Sequence, residues 1–147
     1  MKDIGKEIAE LSEPLIYVNG KFLPKSQAKV SVFDEGVTHD WAVYEGIRVY
    51  DGKVVELDAH IDRLYASAKG AYITIPLTSK EFREAIIRTV RENRLRDCHM
   101  APWVGYDESG KDANVVIRIR EAPSRMGEPL TAIVSSVRRA APDSIPA

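Results

Sequence analysis

The segment DWAVYEGIR contains the densest group of side chains that could carry out chemistry. It places two aromatic rings, Trp41 and Tyr44, beside a carboxylate, Glu45, and a guanidinium, Arg48. An aromatic ring can form the wall of a ligand pocket, a carboxylate can exchange a proton, and a guanidinium can bind an anion through paired donors. The same residues also fit a helix that runs into a strand, with Gly46 at the bend. The segment is therefore a candidate corner of an active site.

Other arrangements that carry chemistry are absent from the sequence. It has no glycine-rich phosphate loop, no Cys or His cluster at metal-ligand spacing and no GxSxG nucleophile turn. The three histidines, His39, His60 and His99, are far apart in the sequence. A histidine taken singly is more commonly structural or exposed than catalytic. These residues alone indicate a soluble α+β domain and no particular reaction.

Composition and charge exclude several classes of partner. The 147 residues are 44% hydrophobic and 29% charged, which is typical of one globular domain. The net charge is -1 and the basic residues are dispersed, so neither nucleic acid nor an anionic membrane is expected as a partner. No apolar run could span a bilayer, the N-terminus lacks a signal-peptide core, and the single cysteine, Cys98, cannot form an internal disulfide. The expected compartment is the cytoplasm.

Two β-hairpins are predicted around the candidate corner, with a short helix between them. Each consists of two apolar runs joined by a dipeptide that readily adopts the positive φ angles of a tight turn. The hairpins are residues 15–18 and 21–23 around Asn19-Gly20, and residues 47–50 and 53–55 around Asp51-Gly52.

Two amphipathic helices are predicted after the second hairpin. The first covers about residues 59–71, with Asp58 as its N-cap. The second begins with a capping box formed by Thr78 and Glu81. Both helices carry residues at the spacing of a buried stripe: Ile61, Leu64, Tyr65, Ala68 and Tyr72 in the first, and Phe82, Ala85, Ile86, Thr89 and Val90 in the second.

Three β-rich runs complete the chain, namely HMAPWVGY, NVVIRIREA and LTAIVSSV. The order of elements predicts an α+β domain, with a mixed or antiparallel sheet and two main helices packed on one side. We expect a polar leader with helical spacing over residues 1–14 and the domain over residues 15–137. The proline-containing residues 138–147 are predicted to begin an interdomain linker, so the chain is expected to be the first part of a longer protein.

Two motifs carry a resemblance to a known family: VYEGIRVYDG and HIDRLYASAKGAYITIP. They resemble the N-terminal small domain of class IV (fold-type IV) aminotransferases, which use pyridoxal 5'-phosphate. The similarity extends from YVNGKFLP to VSSVRRAAPDSIP, and the order and spacing of the motifs make it specific. It implies a homodimeric parent protein that transfers an amino group between an amino acid, preferably a branched-chain one, and a 2-oxo acid. D-amino-acid aminotransferase, aminodeoxychorismate lyase and a cofactor-free binding or dimerisation module are alternatives.

The resemblance also implies roles for individual residues. The arginine of HIDRL binds the cofactor phosphate in the family, and here it is Arg63, whose planar donors suit two phosphate oxygens. Tyr44 matches an aromatic residue that lines the substrate pocket, and His39 stands where branched-chain enzymes carry a pocket tyrosine. Glu45 and Arg48 fit an exposed ion pair and are given no catalytic task.

Two positions depart from the branched-chain pattern, and one residue of the family is missing. His99 and Ala101 stand where branched-chain enzymes carry a tyrosine and an arginine, so the resemblance leaves the substrate class open. The family's chemistry needs a lysine that forms a Schiff base with the cofactor, expected a few residues after Ala147. None of the chain's lysines falls at that place. No catalytic residue and no metal ligand is therefore assigned, and the 147-residue chain alone is expected to be inactive.

Overall fold

The computed structural model of the chain describes residues 13–122 and 131–137. They contain three helices and seven strands, and the two long helices follow one another between two groups of strands, as in an α+β domain. The elements are β1 (Leu15–Val18), β2 (Lys21–Pro24), α1 (Glu35–Thr38), β3 (Ala42–Tyr44), β4 (Ile47–Tyr50), β5 (Lys53–Val54), α2 (Leu57–Gly70), α3 (Ser79–Asn93), β6 (Cys98–Tyr106) and β7 (Ala113–Glu121).

The seven strands form one sheet in which every pairing is antiparallel. The strand order is β2-β1-β7-β6-β4-β5, and β3 also pairs with β6. The central strands β6 and β7 pair over their whole length, from Cys98 opposite Glu121 to Tyr106 opposite Ala113. The predicted α+β class is confirmed, and the sheet is antiparallel rather than mixed.

Both predicted hairpins are confirmed. The turn residues have the positive φ angles that their types favour, with 47° at Asn19 and 87° at Gly20 in the first turn. In the second turn the angles are 49° at Asp51 and 75° at Gly52. The second hairpin leads into α2, and it therefore fixes where that helix lies against the sheet.

Helix α2 begins two residues earlier than predicted, and the prediction that Asp58 is its N-cap is wrong. The N-cap is Glu56, which has a left-handed backbone with φ of 45° and makes no side-chain capping bond. Because the chain must turn from β5 into the helix within two residues, backbone geometry rather than a capping side chain sets the start. Asp58 lies in the first turn and accepts a hydrogen bond of 2.8 Å from Nε of Arg83 on α3.

The apolar stripe of α2 is confirmed for its first part and wrong at its end. Ile61, Leu64 and Ala68 are buried, and Tyr65 is half-buried. Tyr72 is 84% exposed, because the helix ends at Gly70 and Tyr72 has a left-handed φ of 58°. Beyond the helix end the helical spacing no longer determines which way a side chain faces.

Helix α3 forms as the sequence predicts. The Thr78 hydroxyl accepts from the backbone N–H of Glu81, and the Glu81 carboxylate accepts from the backbone N–H of Thr78, which completes the capping box. All the residues predicted for its inner stripe are buried: Phe82, Ala85, Ile86, Thr89 and Val90.

The two long helices cover one face of the sheet, and alternate residues of each strand point into the core between them. On β6 and β7 the buried positions include Met100, Val104 and Ile117. The positions between them, among them Ala101 and Arg118, face the opposite side. We call that opposite side the open face.

The last predicted strand, LTAIVSSV, is wrong in the part that the structure describes. Residues 131–137 form no strand and are exposed, with Ile133 at 90% and Val137 at 83%. High β-propensity makes a strand only where a neighbouring strand pairs with it, and none of the seven strands described above pairs with this run. Leu130, residues 1–12 of the predicted leader and the predicted linker over 138–147 lie outside the described residues. The domain boundaries therefore stay predictions.

Candidate functional site

The DWAVYEGIR segment is a strand with one interruption. Tyr44 lies opposite Trp103 and Ile47 opposite Met100, so β3 and β4 follow β6 in a single register. Glu45 and Gly46 occupy the interruption, where the backbone N–H of Glu45 donates to the Pro102 carbonyl at 3.0 Å. The alternative of a helix running into a strand is wrong for this stretch.

Side chains continue to alternate between the two faces of the sheet through the interruption, as they do along a strand. Val43, Glu45 and Ile47 are buried on the helix side. Tyr44 is 74% exposed on the open face. Glu45 therefore takes a position that an apolar side chain would normally fill, with a carboxylate that needs partners.

Two residues of α2 supply these partners. Arg63 donates from Nε and from Nη2 to the two oxygens of Glu45, each at 2.6 Å. The imidazole Nδ1 of His60 donates to Oε2 of Glu45 at 2.9 Å. His60 and Arg63 are three residues apart and so share one face of the helix. Together they satisfy a carboxylate that is only 6% exposed.

The charges of this cluster reinforce one another. The hydrogen bond from Arg63 holds the pKa of Glu45 below its ordinary value, against burial, which would raise it, and His60 lowers it further. The same contact raises the pKa of Arg63. Glu45 is therefore ionised at neutral pH and the pair is a bidentate ion pair.

The outer edge of Arg63 remains available to a ligand. Its side chain is 65% exposed, and its Nη1 makes no hydrogen bond within residues 13–122 and 131–137. A guanidinium anchored on one edge with a second edge open can bind a further anion such as a phosphate. Arg63 thus fits the phosphate-binding role that its motif implies.

The other two predicted site residues lie away from Arg63. Tyr44 neighbours Glu45 but points to the open face, so a strand separates its ring from the ion pair. His39 follows α1, with its Nδ1 2.8 Å from Glu35, and its side chain is 69% exposed. No hydrogen bond joins Arg63, Tyr44 and His39 in the described part of the chain, so their common pocket stays a prediction.

The prediction of an exposed pair of Glu45 and Arg48 is wrong. The two side chains point to opposite faces, as a strand requires for residues an odd number apart. The Arg48 guanidinium donates to the Ala122 carbonyl and lies 4.8 Å from the ring centre of Tyr50. Its Nε is buried and has no hydrogen-bond partner among the described residues.

The open face also presents the two residues that depart from the branched-chain pattern. His99 and Ala101 are half-buried there, on the inner wall of a groove of about 930 Å³. Burial, and next the charge of Arg120, lowers the pKa of His99, so its imidazole is neutral at neutral pH. Gly46 accommodates this ring, because a Cβ at position 46 would lie 3.3 Å from its Nε2.

Sequence reasoning missed Glu45 and His60. The signal for Glu45 was the two-residue period of VYEGIRV, which places it in phase with buried Val43, Ile47 and Val49. The signal for His60 was its spacing of three from Arg63. Neither pattern shows that the strand and the helix bring these residues together.

Neither a metal cluster nor a membrane-spanning helix occurs in the part of the chain that the structure describes. No three His, Cys, Asp or Glu side chains among residues 13–122 and 131–137 are placed to hold a metal ion. None of the helices in the same residues has the length and apolar character that crossing a membrane requires.

The comparison with known proteins identifies the family. The model of the amino-transferase class IV family matches residues 42–147, a range that begins at β3 and includes the Glu45 and Arg63 cluster. The chain therefore belongs to the class IV aminotransferases, a family of pyridoxal-phosphate-dependent enzymes.

Its relatives are mainly described as branched-chain enzymes. The chain is 44% identical over 133 residues to a putative branched-chain-amino-acid aminotransferase of Methanocaldococcus jannaschii, covering 84% of this chain and 46% of that protein. It is 38% identical over 80 residues to a D-alanine aminotransferase of Listeria monocytogenes, covering 54% of this chain and 28% of that protein. The chain thus spans about half, or less, of the length of the relatives that it matches.

Solved structures agree with this assignment. The branched-chain amino acid aminotransferase of Escherichia coli superposes with a TM-score of 0.81 at 28% identity, over 91% of this chain and 50% of that one. The T.th. branched-chain enzyme superposes with a TM-score of 0.74 at 31% identity, over 79% of this chain and 42% of that one, in a structure with pyridoxamine 5'-phosphate. Complexes of the T.th. enzyme with 4-methylvaleric acid and with N-(5'-phosphopyridoxyl)-L-glutamate are also known.

Proposed function

We propose that the whole protein is a pyridoxal-phosphate-dependent aminotransferase that transfers an amino group between a branched-chain amino acid and a 2-oxo acid. The observation that carries the proposal is the guanidinium of Arg63, which Glu45 and His60 hold at an exposed edge within the segment that matches the class IV family.

The residues of this chain would bind and orient rather than perform the proton transfers. Arg63 would bind the cofactor phosphate through its free edge, while Glu45 fixes the plane of the guanidinium. Tyr44 and His39 would line the substrate pocket. When bound, pyridoxal phosphate supplies an electron sink for negative charge on the substrate Cα.

The lysine that holds the cofactor is proposed to lie in the part of the relatives' length that this chain does not span. The seven lysines in the described residues are consistent with this proposal, because all of them are exposed. A cofactor-binding lysine needs a partly desolvated site that lowers its pKa, and an exposed side chain has none. Residues 1–147 alone are therefore expected to show no transamination with added pyridoxal phosphate.

Branched-chain substrates are our first choice because the M. jannaschii, E. coli and T.th. relatives carry that description. The similarity to D-alanine aminotransferase supports a D-amino acid as the second candidate. The test is transamination by the full-length protein with 2-oxoglutarate. L-leucine should turn over at least about tenfold faster than D-alanine in kcat/KM. The reverse preference would replace the first candidate by the second, and turnover of neither would favour a cofactor-free module.

We further propose that the full-length protein is a homodimer, as the family resemblance implies. Gel filtration at micromolar concentration should give twice the mass of the full-length chain. A monomer that retains full activity at that concentration would contradict this.

A further inference from the structure

Two aromatic side chains hold the C-terminal end of α2 against the sheet. The indole Nε1 of Trp41, the residue before β3, donates to the Ala71 carbonyl at 2.8 Å. The hydroxyl of Tyr106, the last residue of β6, donates to the Tyr72 carbonyl at 2.8 Å. The two rings meet edge to face, with their centres 4.9 Å apart. We call Trp41 and Tyr106 the aromatic clamp.

The clamp binds carbonyl groups that the helix itself leaves without partners. The last C=O groups of a helix have no N–H of the next turn to accept from. Ala71 is the C-cap of α2, and Tyr72 follows it with a left-handed φ of 58°. This backbone conformation is unfavourable for a residue with a bulky side chain, so surrounding contacts must hold it. The ring of Tyr72 is 84% exposed, and the bond from Tyr106 to its carbonyl supplies one such contact.

A second attachment joins α2 to the same strand. Two turns before the helix end, Arg63 and His60 contact Glu45. Trp41 and Glu45 are four residues apart, which is about 13 Å along a strand. Arg63 and Ala71 are eight residues apart, which is about 12 Å along a helix. The two lengths agree, so the helix and the strand run side by side in opposite directions and are joined at both points.

The bond from Trp41 limits how far α2 can shift along the strand. Between the two attachments the contact is apolar, with Val43 of β3 and Ala68 of α2 both buried in the core. Apolar burial is non-directional, so it fixes the position of a helix along a strand less sharply than a hydrogen bond does. Without the indole donor, the contacts of Glu45 would have to hold the helix as well as orient the guanidinium of Arg63.

We propose that Trp41 is a positioning residue for the cofactor phosphate: by binding Ala71 it fixes α2 along β3 and so holds the free edge of Arg63 in place. The inference rests on the proposed function, because it takes the phosphate of pyridoxal 5'-phosphate as the ligand of Arg63. The apparent affinity of a site falls with the fraction of molecules in which the site is correctly formed. Trp41 therefore acts on affinity from two helical turns away.

The test is a double-mutant cycle on the binding of pyridoxal 5'-phosphate to the full-length protein. Trp41→Phe removes the donor to Ala71 and is made both in the wild type and in Arg63→Ala. Trp41 is 41% exposed, so the smaller ring should leave the fold intact. Tyr65→Phe is the matched control, because it removes a bond of 2.6 Å from α2 to the Leu77 carbonyl, which precedes α3 and lies outside the strand. Equilibrium dialysis measures the affinity without relying on tryptophan fluorescence.

We expect Trp41→Phe to weaken cofactor binding by about three- to tenfold, the range that one hydrogen bond supports. In the Arg63→Ala background the same change should alter the affinity by less than about twofold, because Trp41 acts through Arg63. Tyr65→Phe should alter it by less than about twofold in either background. Unchanged affinity in Trp41→Phe would overturn the proposal. So would an equal loss with and without Arg63, since Trp41 would then act on the whole fold or contact the cofactor itself.

The two proposals can fail separately. Cofactor affinity that depends on Trp41 only when Arg63 is present, in a protein that transaminates no amino acid, would uphold the positioning role and refute the aminotransferase. Normal transamination with unchanged cofactor affinity in Trp41→Phe would refute the positioning role and uphold the aminotransferase.

Discussion

Arg63 is held by a buried carboxylate on the neighbouring strand. Glu45 is buried, and its hydrogen bonds with Arg63 and His60 determine where the free edge of Arg63 points. A guanidinium with one edge fixed loses less side-chain freedom when its other edge binds an anion. Glu45 is therefore a positioning residue for the proposed phosphate contact.

Glu45→Gln is predicted to destabilise the fold in a pH-dependent manner. The folded pKa of Glu45 lies below its ordinary value of 4.5, so the unfolded chain binds this proton more tightly. The stabilisation by the ionised carboxylate is complete above about pH 4.5 and is lost as the pH falls through the lowered pKa. Because Arg63 is exposed, we expect a loss of only about 1 kcal/mol at neutral pH.

Urea unfolding followed by tryptophan fluorescence at about pH 7 and about pH 3.5 measures this effect. The difference in the free energy of unfolding between wild type and Glu45→Gln should be smaller at the lower pH. Glu84→Gln, which alters an exposed glutamate of α3 that has no ion pair among the described residues, is the control and should have no effect at either pH. A difference that stays constant with pH would contradict the proposed ion pair.

The sequence predicts part of this cluster. Arg63 falls outside the apolar stripe of α2, so its exposure follows from helical spacing alone. Predicting that Glu45 is buried would require knowing that β3 and β4 continue one another across the interruption at Glu45 and Gly46. Its hydrogen-bond partners come from α2, at least fifteen residues later along the chain. A contact of that kind depends on how the elements pack, which local patterns do not determine.

At the scale of elements, close packing of β3 and α1 against β6 positions Tyr44. The ring of Trp103 lies over Gly105, whose hypothetical Cβ would be 2.4 Å from the ring and 2.9 Å from Cβ of Ala42. The same ring contacts Gly36 of α1, where a Cβ would meet it at 2.9 Å. Any side chain at either glycine would push the elements apart.

Gly105→Ala is therefore predicted to destabilise the protein by about 1 to 3 kcal/mol, the usual range for overpacking. Gly70→Ala is the matched control, because an added Cβ there meets nothing within 4 Å and α2 ends at this residue. It should be neutral or slightly stabilising, by up to about 1 kcal/mol. Chemical denaturation of both variants provides the measurement, and equal stability of the two would contradict the close packing at Gly105.

The sequence predicts an element most accurately when the interactions that define it join residues close together in the chain. The two dipeptide turns and the Thr78–Glu81 capping box involve residues at most three apart. The errors occur where distant parts of the chain decide. The left-handed backbone of Glu56 sets the start of α2, and residues 131–137 pair with no strand in the part of the chain that the structure describes.

At the scale of the whole molecule, the sheet separates two charged regions. The helix side carries the Glu45 and Arg63 pair, whereas the open face carries Arg48, Arg118 and Arg120 near the groove. The family could be recognised from the order of its motifs, and the comparison confirms it. Substrate preference could not be predicted in the same way, because His99 and Ala101 depart from the pattern that the branched-chain resemblance implies.

The binding of pyridoxal 5'-phosphate to full-length Arg63→Ala tests the central claim most directly. We predict that a fluorescence titration will give an affinity about 10- to 100-fold weaker than that of wild type, because one charge-assisted contact to the phosphate is lost. Arg83→Ala, which removes an arginine from a surface ion pair with Asp58, should bind the cofactor as wild type does. Unchanged affinity in Arg63→Ala, or an equal loss in both variants, would contradict the assignment of Arg63 as the phosphate ligand.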